Sequence, residues 1–123
     1  MKSPREHAKA DNDLIAATAT LATGKALDTV CFHAQQAAEK SLKALLALKG
    51  IPYPFRHDLG ELTELAKIHY PFGAAMEAEV LTLSPYAVEA RYDDTMTPTV
   101  KEARAALDIA RKACDFAAKA VAP

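Results

Sequence analysis

The chain has no tryptophan, and aromatic residues make up only 7% of its 123 positions. A sheet core draws much of its volume from aromatic and β-branched side chains, so this scarcity argues against a β-sandwich or barrel. Glycine is equally sparse, with four residues isolated at positions 24, 50, 60 and 73. Neither a phosphate-cradling P-loop nor a dinucleotide-binding fingerprint can be assembled from glycines so far apart. The two cysteines, Cys31 and Cys114, both fall on apolar helical positions, where a reduced thiol behaves as a small hydrophobe. That pattern points to a reducing cytoplasm. No window reaches the ~20 uncharged apolar residues a membrane span needs, and no apolar leader follows Met1-Lys2-Ser3-Pro4. A soluble, cytoplasmic protein without a membrane partner is expected. The formal net charge of −1 exerts no global pull on nucleic acid, so no DNA partner is expected and any anion site must be a local patch.

What is present is alanine and leucine in helical order. Half of the residues are hydrophobic, and a chain of this length can bury enough surface to fold as a single domain, residues 1–123, with neither disulfide nor metal. The organising stretch is 26–49. At about 100° per residue, Leu27, Val30, Cys31, Ala34, Ala37, Ala38, Ser41, Leu42, Leu45 and Leu48 form one wide apolar or small face. Opposite lie His33, Gln36, Lys40 and Lys43, flanked by Gln35 and Glu39. This second face is polar and mainly basic, and is either merely solvated or functional.

The remaining elements follow from spacing and caps. Ser3 and Pro4 open a first helix over about 4–23, with Ala10, Leu14, Ala17 and Leu21 inward and Gly24 as its stop. The charges in its first half, Arg5, Glu6, Lys9, Asp11 and Asp13, are expected to serve solvation. Pro52 and Pro54 make 50–55 a short rigid connector. Asp58 with Glu61 caps a third helix over 59–69, and Met76, Val80 and Leu83 face inward from a shorter one over 74–83. Residues 86–97 show no helical period and read as a loop. Thr99 and Glu102 then offer a second capping box, ahead of a seam of Val100, Ala103, Leu107, Ala110, Cys114, Ala117 and Val121. The outer face of that last helix, Arg104, Asp108, Arg111 and Asp115, needs only solvent. The expected fold is all-α: an up-and-down helical bundle of four main helices plus one short helix.

Several chemistries fail on geometry. Cys31 and His33 are two apart on a helix, about 200° from each other, so they form neither a zinc site nor a nucleophile pair. No metal and no cofactor is expected. Two places remain open. Arg56-His57-Asp58 sits where the connector meets a helix N-terminus, a position that favours anions, although His57 also fits as a packed or surface histidine. Arg91-Tyr92 puts a planar cation beside an aromatic face on an irregular loop, suited to phosphate contact and base stacking. The competing reading has Arg91 pinning the loop through Glu89, Asp93 or Asp94.

The string Phe32-His33-Ala34-Gln35-Gln36-Ala37-Ala38-Glu39-Lys40-Ser41-Leu42-Lys43-Ala44-Leu45-Leu46, with Gly50, His57-Asp58-Leu59 and Ala90-Arg91-Tyr92, resembles the HEPN domain family over about residues 13–116. The resemblance implies a helical bundle that usually dimerises, is often encoded beside a small nucleotidyltransferase, and has proposed roles in nucleotide binding or as the toxin of a toxin–antitoxin pair. Relatives with ribonuclease activity carry an Arg followed four to six residues later by His near the start of the last helix. Here no His follows His69, so that motif is missing. Arg56 and Asp93 also depart from the usual pattern, where a small or hydroxyl residue and Pro are commoner. The leading expectation is therefore a non-catalytic domain, a homodimer, in which Gln36, Lys40, Lys43, His57, Arg91 and Tyr92 bind a nucleotide or a nucleotidyltransferase partner. The alternatives are an RNA-cleaving toxin with His57 or His33 as general base, and a purely structural dimerisation module.

Overall fold

A computed structural model describes residues 5–53, 58–87 and 97–121. Among them the chain forms five α-helices, α1 (Arg5–Ala22), α2 (Leu27–Leu48), α3 (Leu59–His69), α4 (Gly73–Leu81) and α5 (Val100–Val121), with a single 3-10 turn at Ser84–Tyr86 and no strand. This is the expected all-α bundle. The 3-10 turn lies partly in the stretch read as a loop, because Pro85 at its start sets a helical φ without supporting a longer helix.

Central to the packing is α2, which lies against α1 on one side and α5 on another, while α1 and α5 also touch. The α3 helix packs on α2, and α4 bridges α3 and α5. Small residues allow the close approach. Ala34, Ala37 and Ala38 of α2 and Ala103, Ala110 and Ala117 of α5 are all fully buried, so backbones meet where larger side chains would hold them apart. Larger side chains fill the ends, with Leu45, Leu46, Leu59, Leu62, Val80, Leu83 and Leu107 inside. Tyr70, Phe72 and Phe116 close one end through edge-to-face ring contacts, with centroids 6.5 and 5.7 Å apart.

Local signals set the ends of the elements. Gly50, at φ 66°, closes α2 in a Schellman arrangement: its N–H bonds Ala47 O at 3.1 Å and the N–H of Ile51 bonds Leu46 O at 2.9 Å. The Asp58 carboxylate accepts from Glu61 N at 3.1 Å, capping α3. The α5 capping box is complete, with Thr99 N donating to Glu102 Oε1 at 3.0 Å and Glu102 N to Thr99 Oγ1 at 3.1 Å. At the start of α2, Ala26 is left-handed at φ 53° and gives no side-chain cap.

The small-residue seam of α5 from Ala103 to Ala117 is covered inside the chain, chiefly by α2, whereas Val100 is partly exposed. Burial of that seam therefore needs no second copy. Both thiols are buried in the same core. Burial pushes Cys31 up to about 11 against the opposing hydrogen bond of Tyr86. It pushes Cys114 up to about 11 as well, where Ser41 Oγ lies 3.0 Å from the sulfur.

Candidate functional site

The polar face of α2 is not a solvated face. Gln35 and Glu39 are fully buried and Gln36 nearly so, while α1 packs along α2 and Tyr53 of the connector bonds Glu6 of α1. A carboxylate or amide enclosed in this way costs several kcal/mol unless partners replace its water. Those partners are present.

Asp13 of α1 supplies the first set. Its carboxylate, only 8% exposed, accepts from His33 Nδ1 at 2.8 Å through one oxygen and from Lys40 Nζ at 2.6 Å through the other. His33 and Lys40 are seven residues apart on α2, two turns along the same side, so one carboxylate reaches both. This corrects the reading of Asp13 as part of a solvating cluster. Its position between Ala10 and Ala17, on the inward stripe of α1, is the signal that marks it as buried. Glu6, from the same cluster, is likewise engaged and accepts from Tyr53 Oη at 3.1 Å.

The second set is a chain of amides ending on a carboxylate. Gln36 Nε2 donates to Gln35 Oε1 at 2.6 Å, Gln35 Nε2 donates to Glu39 Oε1 at 3.2 Å, and Lys43 Nζ donates to Glu39 Oε2 at 3.1 Å. Lys43 also lies 5.8 Å from the centre of the Tyr53 ring. Burial first, and then the Glu6 carboxylate, raises the Tyr53 phenol above its ordinary value, so it remains a donor.

Of the residues singled out from sequence, Gln36, Lys40 and Lys43 are brought together on this strip. His57, Arg91 and Tyr92 lie outside the described residues. Asp13 and Glu39 were not singled out, yet they hold both lysines. The mainly basic face is therefore a set of internal ion pairs in which each lysine already has a carboxylate. Among the described residues no group of three His, Cys, Asp or Glu side chains is placed to hold a metal ion. None of the described helices is long and apolar enough to cross a membrane.

Small-residue crossings and a polar strip along the central helix define an all-α bundle in whose described residues no side-chain group is placed to hold a metal ion. The chain belongs to the HEPN domain family, whose model matches residues 7–121. It is similar in structure to TT1696 from Thermus thermophilus, with 27% identity, a TM-score of 0.75, and 93% of this chain and 94% of that one covered. The fold is also that of ST0689, an archaeal HEPN homologue, with 21% identity, a TM-score of 0.77, and 99% of each chain covered. No curated protein matches the chain.

Proposed function

We propose that this HEPN domain is a non-catalytic binding module that takes a nucleotide, a small nucleotidyltransferase partner, or both, and works as a homodimer. The observation that carries the reading is the polar strip of α2. Replacing a buried ion pair by apolar side chains of similar volume is often neutral or stabilising, so stability alone gives no reason for Gln35, Gln36, Glu39 and Lys43 in the interior. Binding does, because Lys40 and Lys43 are partly exposed at 26% and 14% and stand where an incoming phosphate or carboxylate would compete for them. On this reading His57, Arg91 and Tyr92, from the connector and the loop before α5, complete the site.

Titration calorimetry of the full chain with AMP, ADP and ATP tests the nucleotide half, and co-purification from the native host tests the partner half. Binding that weakens roughly tenfold or more in folded Lys43→Gln is expected, alongside a lower melting temperature because the buried Glu39 carboxylate loses its counter-charge. Absence of both a nucleotide and a nucleotidyltransferase would leave only a scaffold. A second reading has one observation in its favour. His33, oriented through Nδ1 by Asp13, has the form of a general base, and labelled RNA cleaved by the wild type but not by His33→Gln would replace the non-catalytic reading with a nuclease.

A further inference from the structure

We infer that His33 and Lys40, anchored by Asp13, form a proton-linked subsite for a phosphate group; the inference rests on the nucleotide-binding reading for the rest of the ligand. The geometry leaves unused donors on the outer side of a covered carboxylate. Asp13 spends one oxygen on His33 Nδ1 and the other on Lys40 Nζ, and at 8% exposure the carboxylate is closed off from an approaching anion. The two cationic side chains are 25% and 26% exposed, so a ligand meets them and not Asp13. Among the described residues His33 Nε2 has no hydrogen-bond partner, and it is not sealed in the interior. Lys40 has three N–H groups and gives one to Asp13.

Charge decides what these donors select. Asp13 and Lys40 cancel, so the cluster is neutral while His33 is neutral and carries one positive charge once His33 takes a proton. Asp13 from α1 is the charged group in contact with the imidazole, and Lys40 from α2 itself is held at the other oxygen of the same carboxylate. No charged group from α3, α4 or α5 contacts the ring among the described residues. An imidazolium Nε2–H and the remaining ammonium N–H groups, two turns apart on one side of α2 and drawn together by one carboxylate, offer donors to the oxygens of a phosphate, and the bound anion in turn favours the protonated ring. The ring is already fixed before any ligand arrives, by Asp13 at Nδ1 and by the edge-on Phe32 ring with its centroid 5.4 Å away. Pre-orientation removes an entropic cost from binding. A cluster that served only to tie α1 to α2 would have no use for Nε2, and its ligand affinity would not depend on pH.

Calorimetry with two probes, inorganic pyrophosphate and ADP, tests this on the full chain at about pH 6 and about pH 8, either side of the range in which imidazoles ionise. Each titration is run in two buffers of different ionisation heat to count protons. The expected result is uptake of about one proton or less on binding, affinity for both probes roughly tenfold higher at the lower pH, and loss of that difference in His33→Gln. Gln keeps an N–H for Asp13, so the variant is expected to fold. Because the probes' own phosphates ionise in the same range, the share of uptake that belongs to His33 is the share lost in His33→Gln. Where that variant does not fold, a shift of the His33 ring protons toward the protonated form by NMR, on adding pyrophosphate to the wild type at fixed pH, decides the point, and its absence overturns the subsite. ADP binding that is equal at both pH values and unchanged in His33→Gln overturns the subsite while leaving nucleotide binding intact. Pyrophosphate binding with proton uptake, but no ADP binding, upholds the subsite and removes the nucleotide reading. No binding of either probe overturns both.

Discussion

At the scale of single residues, the chain hides its charges more deeply than a helical wheel suggests. Glu39 is fully buried and shares its carboxylate between Gln35 and Lys43, so Glu39→Ala leaves a largely enclosed ammonium without its counter-charge. Breaking such a pair from one side typically costs about 3–5 kcal/mol. Because Lys43 keeps 14% of its side chain in solvent, the lower end is expected, read as a fall in the urea midpoint at unchanged slope. A loss below about 1 kcal/mol would mean that the pair behaves as a surface bridge. The thiols give a second test at this scale. With Cys31 and Cys114 buried and both pushed up to about 11, each stays a neutral thiol at about pH 8 and is nearly inert to a thiol–disulfide reagent. Both should react only after denaturation. Release from the native protein on mixing would show that the core opens far more readily than its packing implies.

At the scale of elements, the ends of the helices are where sequence speaks most directly. The Thr99–Glu102 box, the Asp58 cap and the Gly50 terminus are each legible as residue types at fixed offsets, and each forms the expected hydrogen bonds. Thr99→Ala is expected to cost about 1 kcal/mol by thermal or urea unfolding, because Glu102 N loses its acceptor in the first turn of α5. Ala26 is the exception. The sequence offers nothing at this position that favours a left-handed backbone, yet the turn between α1 and α2 imposes φ 53° on it. An L-residue with a Cβ there carries a cost of about 1 kcal/mol that glycine avoids. Ala26→Gly should therefore stabilise the protein by up to about that amount, whereas a fall in the melting temperature would show that the cost lies elsewhere.

At the scale of the whole molecule, the proposed homodimer must find its surface away from the α5 seam, which α2 already covers. Ile15, 67% exposed on α1 beside Leu14, Thr18 and Ala19, leaves one apolar face uncovered. Light scattering at ~100 µM, where an interface of even micromolar affinity is populated, is expected to give twice the chain mass; monomer alone would remove the dimer from the proposal. The helical class, the order of the elements, the caps of α3 and α5, the Gly50 end of α2 and the apolar stripe of α2 were legible in the sequence, because these depend on period and on neighbours within one or two turns. So was the placing of Gln36, Lys40 and Lys43 on one side of one helix. Tertiary packing alone decides that this side is enclosed, that Asp13 from twenty residues before His33 holds it and Lys40 together, and that Glu39 holds Lys43. The physical reason is that a wheel sorts residues around a single axis, whereas the partner of a charge is set by which second helix lies against it. Position 13 falls on the inward stripe of α1, but only the packing of α1 on α2 fixes which cations its carboxylate meets.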